Sequence, residues 1–148
     1  MPLAKTTASE IGSTLFDAAK GRGMEGLSNA LIPLVADELD FCIGKMAVPF
    51  TKATFADYVA HHDKVYADLV PDHQLIPEQF MGKGNKLIMV LRHLVTANGE
   101  FVDFRVVFLF DIDDDGRITR FEEVYDSALA APFVAVVEED LRKGVTAG

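Results

Sequence analysis

A chain of 148 residues with 49% hydrophobic and 25% charged side chains is expected to form one domain, residues 1–148, burying roughly two thirds of its unfolded surface without covalent staples. The formal net charge of -9 and the scattered basic residues oppose polyanions, which argues against nucleic acid and anionic membrane and leaves an uncharged or cationic small ligand, or a protein, as partner. The one cysteine, Cys42, excludes an internal disulfide, the start MPLAKTTASEIGSTLF lacks the apolar stretch of a secretion signal, and no run is long enough to span a bilayer, so a reducing cytoplasm is expected.

From Thr7 to Ala19, Ile11, Leu15, Phe16 and Ala19 recur at helical spacing, with Thr7 or Ser9 placed to cap the start, and Gly21-Arg22-Gly23 ends the run. A short second helix, Met24 to Leu31, is closed by Pro33. Asp37 to Ile43 reads as a first strand, with Leu39, Phe41 and Ile43 alternating against Glu38, Asp40 and Cys42. Gly44 and Pro49 bound an expected loop. Thr51 to Val70 then repeats Phe55, Tyr58, Val59, His62, Val65, Tyr66 and Leu69 as one amphipathic stripe. His62 lies on that stripe, whereas His61 and His73 are expected to face solvent. Pro71 stops the helix, and His73 to Met81 is expected as a second strand in which Pro77 requires an edge or a bulge.

Gly82-Lys83-Gly84-Asn85 turns into a meander of three strands. Between Lys86 and Thr96 the apolar Leu87, Met89, Leu91 and Val95 share one parity with His93, which is therefore expected to point inward. Asn98-Gly99 is a strong hairpin signal. Val102, Phe104, Val106, Phe108 and Phe110 then alternate against Asp103 and Arg105, and Asp113-Asp114-Asp115-Gly116 reverses the chain into Arg117 to Asp126. Here Asp126 and Glu122 share the parity expected to face inward, and Phe121 and Tyr125 the opposite one. A closing helix carries Phe133, Val136, Val137 and Leu141, with Pro132 in its first turn and Arg142 and Lys143 at its negative end.

This order gives an α+β class: a curved antiparallel sheet wrapped around the N-terminal helices as a cone, with a C-terminal helix. Gly84-Asn85-Lys86-Leu87, the Phe108-x-Phe110 hairpin with its acidic turn and Gly116-x-Ile118, and the ending Glu123-Val124-Tyr125-Asp126 resemble the SnoaL-like and nuclear transport factor two-like proteins. Ketosteroid isomerases, limonene epoxide hydrolases and polyketide cyclases share that cone. The resemblance implies that Asp126, ending the last strand, faces the cone. The two carboxyl positions of the ketosteroid isomerases correspond to Ile43 and Val106, and the arginine and aspartate of the epoxide hydrolases to Leu91 and His93.

The residues thus point to His93 and Asp126 as an ionisable pair in an apolar cone, a carboxyl raised by desolvation beside an imidazole able to exchange a proton. His62 is the third candidate catalytic residue. Tyr58, Met89, Leu91, Phe104, Phe108 and Glu122 are expected to contact the substrate. The expected function is cofactor-free isomerase or cyclase-type acid–base catalysis on a hydrophobic polyketide or terpenoid-like molecule, by a homodimer. The alternative is a non-catalytic ligand-binding or dimerisation module, with Asp126 capping the final helix, His93 packed in the core and Phe121 and Tyr125 exposed at the interface. Asp111-x-Asp113-x-Asp115-Gly116 with Glu122 at the twelfth place also matches an EF-hand calcium loop. The strand periodicity before it favours a hairpin tip and no metal.

Overall fold

The computed structural model describes residues 7–43 and 46–146. Gly44, expected to open a loop, and residues 1–6 of the segment read as lacking a secretion signal lie outside the described residues.

Helix α1 (Ala8–Leu31) begins where the Thr7 hydroxyl accepts the Glu10 N–H. It breaks at Arg22 and Gly23, the latter at φ 59°, a left-handed conformation that glycine adopts without Cβ strain. The glycine-flanked interruption expected between two helices is this kink. A single 3-10 turn through Pro33 leads into β1 (Val35–Ile43). The expected loop after it is instead a strand, β2 (Met46–Thr51), paired antiparallel with β1 and bringing Pro49 opposite Asp40. At a sheet edge one side of each strand has no ladder partner, so the N–H that Pro49 lacks is not missed.

Helix α2 (Lys52–Leu69) is nucleated by a reciprocal cap between Thr51 and Thr54. Next comes β3 (Gln74–Lys83), where Pro77 sits on the opposite sheet edge and also at a register shift. The hairpin from β4 (Lys86–Ala97) to β5 (Glu100–Ile112) turns on Asn98 and Gly99, both at positive φ. Strand β6 (Ile118–Tyr125) and helix α3 (Ser127–Thr146) complete the chain. Asp126 caps α3 by accepting the N–H groups of Ala128 and Leu129 through Oδ1. The helix therefore starts earlier than expected, and Pro132 lies inside it rather than in its first turn.

The strand order is β2-β1-β6-β5-β4-β3. All neighbours run antiparallel except β1 and β6, which are parallel, so the curved, unclosed sheet is mixed rather than wholly antiparallel. Helix α1 packs on β3 and β4, α2 on β1 and β2, and α3 on β5 and against α2. The core lies between this layer and the concave face, with Leu87, Met89, Leu91, His93 and Val95 of β4 all inward and buried. No helix of the described residues is long and apolar enough to cross a bilayer.

One irregularity decides which side chains enter the cone. Asp111 pairs with Arg120 and Ile112 with Ile118, which leaves Thr119 as an extra residue in β6. An inserted residue inverts the alternation beyond it. Accordingly Ile118 and Phe121, three apart, are both buried, and Phe121, Glu123 and Tyr125 face inward as register partners of Phe110, Phe108 and Val106. The expected orientation of this strand is reversed. Asp126 is exposed and spends its carboxylate on the helix cap, Glu122 stands on the outer face beside Arg120 at 3.4 Å, and Phe121 and Tyr125 cannot form an outer interface.

The acidic turn is a hairpin tip between β5 and β6, not a loop between helices. Asp113 Oδ1 accepts the N–H groups of Asp115 and Arg117 at 2.9 Å each, and Asp111 pairs with Lys86. A carboxylate folded into its own turn stabilises the reversal locally, and the flanking backbone is extended where an EF-hand needs helix.

Candidate active site

Between the sheet, α2 and α3 lies a cavity of about 420 Å³. The amphipathic stripe of α2 contributes Tyr58 and Tyr66, the inward parity of β4 and β5 contributes His93, Phe104 and Val106, and the inverted parity of β6 contributes Glu123 and Tyr125. Phe133 and Val137 of α3 close one wall. A lobe of about 70 Å³ shares Tyr58, Tyr66, His93 and Glu123 with it and extends to Phe108, Phe121 and His62. Of the residues expected to contact substrate, Tyr58, Phe104 and Phe108 line this space. Met89 and Leu91 do not; both have 0% exposure in the core, because the helix layer covers the middle of β4.

Glu123 is the residue that sequence reasoning missed. Its carboxyl enters the apolar cavity, and burial pushes its pKa up to about 7. Among the described residues, none donates a hydrogen bond or a positive charge to it. The signal that could have found it is the pair Ile118 and Phe121: two large apolar residues three apart in a strand fit one face only if a bulge intervenes.

Three phenols share the cavity with that carboxyl. Burial raises the Tyr58 pKa, and the charge of Glu123 raises it further; burial followed by the same charge raises Tyr66 and Tyr125 as well. All three are held as neutral O–H donors, a form suited to stabilising negative charge that develops on a substrate oxygen.

His93 is 5% exposed and lies flat on Phe104, with centroids 4.9 Å apart and planes 5° from parallel. Burial, then the neighbouring His73 and His62, hold its pKa well below the usual imidazole value, so it is neutral at physiological pH. Its Nδ1 is 2.6 Å from Nε2 of His73. His73, expected in solvent, is half-buried instead, and burial lowers its pKa to about 4. The start of β3 carries it against β4, where Leu75 is the register partner of His93. His61 is likewise not free in solvent: it is half-buried and its Nε2 meets the Asp140 carbonyl, tying α2 to α3. His62 reaches only the small lobe, stacking on Tyr66 at 4.1 Å with Nδ1 3.3 Å from Asp63. The structure thus brings His93 to the cavity and His62 to its small lobe, and removes Asp126 and Glu122 from both.

This cavity sits in a fold with many solved counterparts. A nuclear transport factor two-like protein from Burkholderia thailandensis E264 is 19% identical, covering 84% of this chain and 95% of that one at a TM-score of 0.66. A SnoaL-like polyketide cyclase from Agrobacterium tumefaciens str. C58 is 20% identical over 86% of this chain and 98% of that one, TM-score 0.60. TerC, crystallised with polyporic acid, is 16% identical over 88% of this chain and 98% of that one, TM-score 0.60. No protein-family model matches the sequence, and no curated protein matches it. The chain has the cone fold of the nuclear transport factor two-like and SnoaL-like proteins.

Proposed function

We propose that the cone binds a hydrophobic polyketide or terpenoid-like molecule and moves a proton on it, as an isomerase or cyclase does, using its own side chains. The observation that carries this reading is a carboxyl without a hydrogen-bond partner among the described residues, tuned to about 7, in a cavity of about 420 Å³ that also holds three neutral phenols and an imidazole. Glu123 takes the role that the sequence suggested for Asp126. As carboxylate it accepts a proton from carbon next to a carbonyl, Tyr58 or Tyr66 donates a hydrogen bond to the enolate oxygen, and the protonated Glu123 returns the proton to the same or the conjugated carbon. A base whose pKa lies near ambient pH is both ionised often enough and strong enough for this transfer. The polyketide cyclase with this fold and the polyporic acid crystallised with TerC support a hydrophobic oxygenated ligand.

β-Tetralone, a compact apolar ketone, tests the reading. Exchange of its α-hydrogens in heavy water, followed by proton NMR, should be accelerated by the protein and slowed by roughly a hundredfold or more in Glu123→Gln. Equal rates in both proteins remove Glu123 from the mechanism.

A second reading, a dimerisation module, is favoured by the outer sheet face. Ile88 and Val124 are 42% and 47% exposed there, and Met81, the register partner of Ile88, is 71% exposed. The face and the cavity lie on opposite sides of one sheet, so the two readings are compatible.

A further inference from the structure

We propose, building on the acid–base reading of the cavity, that His73 and His93 form a tautomeric proton relay joining the cavity to solvent in a separate outer groove, with His73 acting through His93 as a positioning and proton-carrying residue. The groove, of about 580 Å³, lies between the α1 kink at Arg22 and Gly23, the end of α2 and the start of β3. His73 lines the groove and not the cavity, while His93 lines the cavity and not the groove. The 2.6 Å contact between Nε2 of His73 and Nδ1 of His93 spans the wall between them.

Both rings are held for this. His93 is stacked on Phe104, and His73 stands edge-on to Tyr66 at 4.8 Å and 75°. The remaining nitrogens, Nε2 of His93 and Nδ1 of His73, have no hydrogen-bond partner among the described residues, and no fully buried side-chain polar atom there lacks one. Neither nitrogen is therefore fully buried, and the lining residues place His93 on the cavity and His73 on the groove.

A buried imidazole in apolar surroundings cannot hold a full positive charge cheaply, nor can it give up its last proton to become an anion. Coupled transfer avoids both states. As the Nε2–H bond of His93 breaks and a new O–H bond forms on the enolate oxygen, the Nε2–H bond of His73 breaks and Nδ1–H of His93 forms. In the same concerted step an O–H bond of groove water breaks and Nδ1–H forms on His73, so the enolate's negative charge leaves as hydroxide in the solvent-open groove and neither ring becomes an anion. Each ring ends neutral in its other tautomer. When the enol returns to the ketone the same steps run backwards, so no proton is gained or lost over the cycle. Without His73, His93 is a hydrogen-bond donor but not a proton source.

Full-length protein and variants at His73 test the relay. His73→Phe keeps a ring in the aromatic stack and removes both nitrogens. Its β-tetralone exchange should fall about a hundredfold in kcat with KM unchanged, and added imidazole should restore the rate of His73→Ala from the open groove. Pyrrole, the same size with one nitrogen, should not. Ring-nitrogen NMR of histidine-labelled protein gives a reading independent of turnover: a scalar coupling across the His73–His93 hydrogen bond, and solvent exchange of the His93 ring proton that slows roughly tenfold in His73→Phe, a large change for a barrier difference of about 1.4 kcal/mol. Undiminished β-tetralone exchange in His73→Phe, or equal rescue by pyrrole, overturns the relay and leaves the base Glu123 in place. If the wild-type protein fails to exchange β-tetralone, the acid–base reading falls instead, and the ring coupling and ring-proton exchange decide the relay, absence of either overturning it.

Discussion

Glu123 and the histidine pair are buried groups whose charged forms burial disfavours, and they respond to pH with opposite signs. Glu123 has a folded pKa of about 7 against an ordinary value of 4.5. Between those values the folded chain keeps a proton that the unfolded chain has lost, so its contribution to stability is complete below 4.5 and declines as pH rises to about 7. Glu123→Gln, which cannot ionise, should be more stable than the parent at pH 8 by up to about 3 kcal/mol and equal to it near pH 4, as read by denaturant unfolding at the two pH values. Equal stability at pH 8 would mean that the carboxyl is solvated. The rate of β-tetralone exchange should rise with pH through about 7, since only the carboxylate accepts a proton. For His73 the sign reverses. Its folded pKa is lowered from 6.5 to about 4, so its contribution is present above 6.5 and is lost as pH falls toward 4, and His93 acts in the same direction.

At the scale of the element, the bulge at Thr119 selects the chemistry of the site. Two deletions separate its effect from that of ordinary strand shortening. Removing Thr119 closes the bulge and keeps Phe121, Glu123 and Tyr125 on the concave face, at the loss of one 3.4 Å hydrogen bond to the Asp111 carbonyl. Removing Glu122 keeps Phe121 inside, turns Glu123 out and sends Val124 in. The first should unfold cooperatively and retain the pH dependence of stability set by Glu123; the second should lose that dependence and melt earlier by several degrees or more. A Thr119 deletion more damaging than the Glu122 deletion would contradict the assignment. The edge prolines show the same principle in a milder form, because Pro49 and Pro77 occupy the two edge strands, where a missing donor breaks no ladder.

For the whole molecule, the sheet separates the cavity from an exposed apolar patch, one on each face. The concave side holds the cavity, and the convex side carries Met81, Ile88 and Val124 among paired charges such as Arg92–Asp103 and Arg105–Glu78. We expect this convex face to bury itself in a homodimer, since exposed apolar surface of this kind is the usual mark of an interface. Sedimentation should show a dimer for the parent and a shift toward monomer for Val124→Asp, with cavity chemistry unchanged; a monomer in both cases removes the expectation.

The sequence by itself determined most of the elements, though it read β2 as a loop and α1 as two helices, together with the inward parity of His93 and the amphipathic stripe that carries Tyr58 and His62, because those follow from local period and capping alone. It also announced the edge-or-bulge constraint at Pro77 and the hairpin at Asn98-Gly99. Three things were settled only in the tertiary structure: the parallel contact between β1 and β6, the seating of His73 against His93, and the exchange of Asp126 for Glu123 at the cavity wall. Each depends on register between segments distant in the chain. A single unpaired residue in β6 shifts that register by one, and in a strand a shift of one residue turns every following side chain to the other face.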